Sequence, residues 1–127
     1  MSQKVLIVDD ARVVRLTLRE IMKSLGYEIL EAADGEQAIE KVKEHPDVAL
    51  IMLDWHMPVM NGYEFLVFLR GMPDHGSSPP VIMVTTEASM PSMLKALAAG
   101  ADEYIMKPFD IELIKSKLDI IGLSYTD

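Results

Sequence analysis

Four short apolar runs in this 127-residue chain each end in residues able to do chemistry. Asp9-Asp10 follow Val5-Leu6-Ile7-Val8, Asp54 follows the run from Val48 to Leu53, Thr85-Thr86 follow Val81 to Val84, and Lys107-Pro108 follow Tyr104-Ile105-Met106. Taken singly, each has an ordinary explanation. An acidic pair after a strand caps a helix or meets its dipole, a threonine there bonds the local backbone, and a lone lysine points into water. Brought to one edge of one sheet, they place three carboxylates, a hydroxyl and an ammonium in a single crevice. Carboxylates ~4 to 5 Å apart repel by about 3 to 4 kcal/mol per pair at an effective dielectric near 20, so one must keep its proton unless a cation intervenes. A hard divalent ion with oxygen ligands resolves the conflict, and Mg2+ suits this donor set better than Zn2+.

The chemistry of such a crevice is metal-assisted phosphoryl transfer. The nucleophile belongs on the central strand, where a fixed carboxylate allows in-line attack, and Asp54 is that residue. Lys107 supplies a point charge to the phosphoryl oxygens and the Thr85 hydroxyl donates to another. The Lys107–Pro108 bond is a candidate cis peptide, since the turn must aim the ammonium back into the crevice.

The elements that would position these residues follow from pattern. The first three apolar runs do not alternate, as in strands buried on both faces. A fifth run, Tyr27 to Ala32, alternates with Glu28 and Glu31 and reads as an edge strand. Between the strands lie helical periods. The first carries Val14, Leu18, Ile21, Met22 and Leu25 inward, with Arg12, Arg15 and Arg19 on the opposite, solvated side. The second starts at Asp34 with Gln37 in capping-box spacing and carries Ala38, Ile39 and Val42. The third follows an Asn61-Gly62 turn and holds Phe65, Leu66 and Leu69. The fourth has Ser89 as cap and Pro91 in its first turn, with Leu94, Leu97, Ala98 and Ala101 inward and Met90 and Met93 as core filler. The fifth begins at Asp110 and aligns Ile114, Leu118 and Ile121. Arg70 to Pro80 reads as a surface loop. Strand-helix alternation repeated five times predicts a doubly wound α/β domain, a parallel sheet with helices on both faces. In such sheets ligands sit outside the carboxyl ends of the strands, where the polar residues lie.

Composition limits the function classes. A formal charge of −8 makes nucleic-acid backbones and anionic membranes repelled partners. Zero cysteines remove disulfides, thiolate metal sites and thiol nucleophiles. No signal-peptide core and no membrane-length apolar run is present, which predicts a soluble, cytoplasmic chain. The length predicts one domain over residues 1–127, with no effector domain after Ile121. His45 and His75 sit in polar loops and receive no role.

The set Val8-Asp9-Asp10, Leu53-Asp54-Trp55-His56-Met57-Pro58, Val84-Thr85 and Tyr104-Ile105-Met106-Lys107-Pro108-Phe109 resembles the receiver domain of bacterial two-component response regulators, most of all the stand-alone CheY type. The likeness runs over roughly residues 3 to 123. It implies a CheY-like, flavodoxin-like sheet of order 2-1-3-4-5. It also implies that Asp54 is the phosphoacceptor, taking a phosphoryl group from a phosphohistidine on a histidine kinase or phosphotransfer protein. Asp9, Asp10, Asp54 and the backbone carbonyl of His56 would hold Mg2+. Thr85 and Tyr104 would form a switch pair, with Lys107 as the family lysine. His56, Thr86 and Glu87 occupy positions that tune phosphoryl lifetime, and the β-branched Thr86 narrows access to the acceptor.

On this reading, a phosphoryl group of about −1.5 to −2 charges draws Thr85 toward it. Tyr104, otherwise a half-buried edge aromatic, turns into the vacated space, and the face of helix four, strand five and helix five changes shape for a downstream protein. The chain is then a phosphoacceptor rather than an enzyme, its chemistry confined to its own phosphorylation and dephosphorylation. Two alternatives are an aspartyl-phosphate phosphatase-like enzyme and a phosphorylation-independent adaptor. A dinucleotide-binding domain is disfavoured, because Asp-Asp-Ala-Arg rather than a Gly-rich turn follows the first strand.

Overall fold

The computed structural model of the chain describes residues 2–73 and 79–126. Strands β1 (Lys4–Val8), β2 (Glu28–Ala32), β3 (Val48–Leu53), β4 (Val81–Thr85) and β5 (Glu103–Met106) alternate with helices α1 (Arg12–Ser24), α2 (Gly35–Glu44), α3 (Gly62–Gly71), α4 (Met90–Ala99) and α5 (Ile111–Ile121). Every pairing is parallel, and the order is β2-β1-β3-β4-β5. This is the expected doubly wound sheet.

Two cores explain why the central strands are apolar at every position. Successive side chains leave a strand on opposite faces. Leu6, Val8, Ile51, Leu53, Val81 and Met83 face one layer, where they meet Ala38 and Val42 of α2, Phe65, Leu66 and Leu69 of α3, and Ala96 of α4. Their neighbours Val5, Ile7, Leu50, Met52, Ile82 and Val84 face the other, where Leu18 and Met22 of α1 and Ile114 and Leu118 of α5 cover them.

Four helices start on a side-chain cap. Asp34, Asn61, Ser89 and Asp110 each accept from a backbone N–H three residues on, and Asn61 completes a full capping box with Glu64. Asn61-Gly62 is therefore a helix start and not a simple turn. At Asp34 the box is displaced by one residue, because the Gln37 side chain accepts from Ala33 N. Helix α1 begins on Ala11, whose methyl group cannot accept a capping hydrogen bond.

Several boundaries move. Tyr27 precedes β2, buried, with its hydroxyl donating to the Ser124 carbonyl at 2.9 Å. Strand β5 starts at Glu103, and α3 extends through Gly71 into the expected loop. Residues 74–78 of that loop, His75 among them, lie outside the described residues. Helix α4 departs most. Leu94 and Leu97 are 58% and 45% exposed and Ala98 is exposed too, so of the four residues expected inward only Ala101 is buried. The helix packs through Ala96, a small side chain that permits close approach, while Met93 lies against the core and Met90 stands outside. A 3.6-residue period identifies an apolar stripe, not the element that covers it. No helix is long and apolar enough to cross a membrane among the described residues.

Candidate functional site

The ladders of the sheet continue one residue past the strands and bring the acids together. Asp9 N donates to the Ala32 carbonyl at 3.1 Å, Asp54 N to the Val8 carbonyl at 2.9 Å, and Lys107 N to the Thr85 carbonyl at 3.0 Å. As a result, carboxylate oxygens of Asp9, Asp10 and Asp54 lie within 4.8 Å of one another. Asp9 and Asp54 are buried and Asp10 is exposed at the rim. Lys107 enters between the two buried acids, its Nζ 2.7 Å from Asp9 Oδ2 and 3.4 Å from Asp54 Oδ2. The Lys107–Pro108 peptide is cis.

Each buried acid is held by backbone as well. Asp9 Oδ1 accepts from Ala11 N at 2.9 Å, and Asp54 Oδ1 from Trp55 N at 2.8 Å. Burial still pushes the Asp9 carboxyl above the ordinary carboxylate range, against the opposing pull of its hydrogen bond to Lys107. One ammonium facing three carboxylates leaves the crevice short of positive charge. The free donors are oxygens, so the cluster is compatible with binding a hard metal cation.

Gly62 matters here in a way its sequence context does not announce. A Cβ at this position would overlap the carbonyl oxygen of Asp54, and Gly62 N donates to the Trp55 carbonyl at 2.9 Å. Glycine lets α3 start against the end of the strand that carries Asp54. The Trp55 ring stacks on Tyr63 of α3, with centroids 5.7 Å apart, and Lys95 of α4 places its Nζ 4.2 Å from the Tyr63 centroid.

Thr85 and Tyr104 meet through the loop between β4 and α4. Thr85 is fully buried, its hydroxyl accepting from Glu87 N at 3.2 Å. Tyr104 is buried rather than half-buried, and its hydroxyl donates to the Glu87 carbonyl at 2.6 Å. Burial, then the charges of Glu87 and Asp54, push its phenol pKa up. Thr86 is exposed, beside Val13, Lys107 and Phe109.

The resemblance pairs His56 and Glu87 as lifetime-tuning positions but does not reveal that they touch. His56 Nε2 lies 2.8 Å from Glu87 Oε2, bridging the loop after β3 to the loop after β4. Glu87 Oε1 also accepts from Ser89 and Ser92 at 3.2 and 2.9 Å. These bonds, His56 first, hold the Glu87 carboxyl below its ordinary range. The partners are 31 residues apart, with no local pattern to link them.

In the arginine stripe of α1, Arg12 and Arg19 are exposed as expected, and Arg15 departs from the solvated face. Arg15 and Arg19 both reach Glu31 of β2, at 3.2 and 3.7 Å, and Arg15 is largely shielded from water. Of the three, Arg12 alone has no such partner among the described residues.

The family model of the response regulator receiver domain matches residues 5–119. The chain belongs to the response regulator receiver family. This receiver domain is 37% identical over 119 residues to the chemotaxis protein CheY1 of Helicobacter pylori, covering 93% of this chain and 95% of that protein. Among solved structures, it superposes on CheY4 of Vibrio cholerae with TM-score 0.87 and 34% identity, over 95% of this chain and 99% of that one. It superposes equally on the CheY of a CheX-CheY-BeF3-Mg2+ complex from Borrelia burgdorferi, with TM-score 0.88 and 31% identity, over 96% and 90% of the two chains. The receiver domain is thus a homologue of the CheY response regulators, with its acidic cluster at the carboxyl end of the sheet.

Proposed function

We propose that this receiver domain is a phosphorylation-controlled protein-binding module of the cytoplasm, with Asp54 as phosphoacceptor. The observation that carries the reading is the convergence of Asp9, Asp10, Asp54 and Lys107 on one crevice. Asp9, Asp10, Asp54 and the His56 backbone carbonyl would hold Mg2+. When bound, the ion screens the acids and the phosphoryl oxygens. The similar Borrelia burgdorferi CheY, solved with BeF3 and Mg2+, supports this choice of ion.

In the transfer step, a carboxylate oxygen of Asp54 attacks the phosphorus of a phosphohistidine on a histidine kinase or phosphotransfer protein. The new O–P bond forms as the P–N bond breaks, and the imidazole nitrogen leaves with the bonding pair. Lys107 Nζ, 3.4 Å from Asp54, is placed to bond a phosphoryl oxygen. Buried Thr85 donates to another by giving up its contact with Glu87 N. His56, Thr86 and Glu87 line the approach and govern how long the group survives.

The signal leaves through the face of α4, β5 and α5. Met90, Leu94 and Leu97 expose apolar surface there, and the Tyr104–Glu87 contact joins that face to Thr85. A downstream protein reads the Thr85/Tyr104 state by contact. Incubation with Mg2+ and acetyl phosphate should add one phosphoryl group, stable in acid and labile in base, seen by mass spectrometry and absent in Asp54→Asn. An unmodified wild type would refute the reading, and multiple turnover of phosphate esters would point to a phosphatase.

A further inference from the structure

The backbone that carries Asp9 and Asp10 runs into α1, the helix whose cap residue Ala11 makes no side-chain hydrogen bond and whose first turn contains no acid. Arg15 takes over the bracing. Its Nη1 donates to the Asp9 carbonyl at 2.7 Å and its Nε to Glu31 Oε1 at 3.2 Å, with only 18% of the side chain exposed. Glu31 lies on β2 opposite Ile7 of β1, so one guanidinium ties α1, β2 and the end of β1 together. The carbonyl it grips belongs to the peptide linking Asp9 to Asp10. That group is planar, so fixing its oxygen also fixes Asp10 N and the direction in which Asp10 departs.

The two acids differ in their need for such help. Asp9 has its carboxylate held on both oxygens, by Ala11 N and Lys107 Nζ. Asp10 is exposed, and its carboxylate accepts no hydrogen bond among the described residues. We infer that Arg15 is a positioning residue for the cation site, setting the Asp9–Asp10 peptide so that Asp10 reaches an ion shared with Asp9 and Asp54. This rests on the Mg2+ reading above.

Charge and geometry predict opposite signs. A guanidinium near a dication repels it, so on charge alone the removal of Arg15 tightens Mg2+ binding. On positioning, removal weakens it. Calorimetric titration of Mg2+ into the full chain separates the two, with melting temperature recorded without Mg2+. Wild type should bind and Asp10→Asn should lose binding. Arg15→Met should bind about tenfold more weakly, the usual cost of losing a group that orients a metal ligand. Arg15→Lys should stay weak, because an ammonium keeps the charge without the two-way fork. Glu31→Ala, which removes the acceptor of one arm and keeps the guanidinium, should show a smaller loss and replaces Arg15→Met should that variant not fold.

Arg15→Met binding Mg2+ as tightly as wild type or tighter overturns the role. So does a lowered melting temperature with an unchanged dissociation constant, or, where Arg15→Met does not fold, wild-type affinity in Glu31→Ala. A wild type that takes up no Mg2+ overturns the cation reading itself and this inference with it. Loss in Asp10→Asn alone overturns only the part given to Arg15.

Discussion

Helices α1 and α4 both carry an apolar stripe, and they use it in opposite ways. Helix α1 leaves Val13 and Leu16 outside but sinks Leu18 and Met22 into the layer it shares with α5, with Leu25 buried just beyond its end. Helix α4 sinks only Ala96 and leaves Met90, Leu94 and Leu97 in water. Their first turns differ as well. The start of α1 is bolted to Asp9 through Ala11 N and Arg15. That of α4 hangs on Glu87, whose carboxylate gathers His56, Ser89 and Ser92 while its carbonyl takes Tyr104. A change at the shared sheet edge therefore meets one helix that cannot shift without opening the core, and one that can move by exchanging polar contacts.

The largest effect expected is on stability. Leu18→Ala should cost about 2 to 5 kcal/mol, the range for deleting a buried leucine side chain, whereas Leu94→Ala should stay within about 0.5 kcal/mol. Denaturant midpoints at unchanged slope check the pair, and equal losses would break the contrast. A smaller difference should appear in hydrogen exchange of the intact protein. Amides of α1 should exchange only with global unfolding, and those of α4 faster, through local opening. Uniform protection across both helices would show that α4 is anchored by something other than Ala96.

The smallest effect concerns Glu87. Its carboxyl lies below the ordinary value of 4.5, so its bonds contribute stability that is fully present above that value and lost as pH falls through its lower folded value. Protection of the Ser92 amide should decline across that acid window in wild type. Glu87→Gln should show no such step, and a step that persists would place the titrating group elsewhere.

How much of this was legible in sequence depends on distance along the chain. The strands, the sheet class and the acids, threonine and lysine at strand ends are local patterns, and in the structure Asp9, Asp10, Asp54 and Lys107 meet while the Thr85 hydroxyl turns to Glu87 N. Helix α4 was misread because Leu94 and Leu97 have the period of a buried face, and nothing local records that the layer beneath takes Ala96 and part of Met93 and Ala99 instead. Arg15 was misread because its acceptors, the Asp9 carbonyl and Glu31, lie on neighbouring elements that a helical wheel does not contain. Gly62 passed as a turn residue, since the crowding by the Asp54 carbonyl exists only after folding. The His56–Glu87 bond joins two loops that sequence leaves unrelated.

The stack of Trp55 on Tyr63 has a practical corollary. Trp55 is the chain's single tryptophan. Its backbone N–H donates to the Asp54 carboxylate, and its ring rests on a tyrosine that Lys95 of α4 also touches. Its emission should therefore change with the charge at Asp54 and with the seating of the helix, a built-in, label-free optical gauge of both.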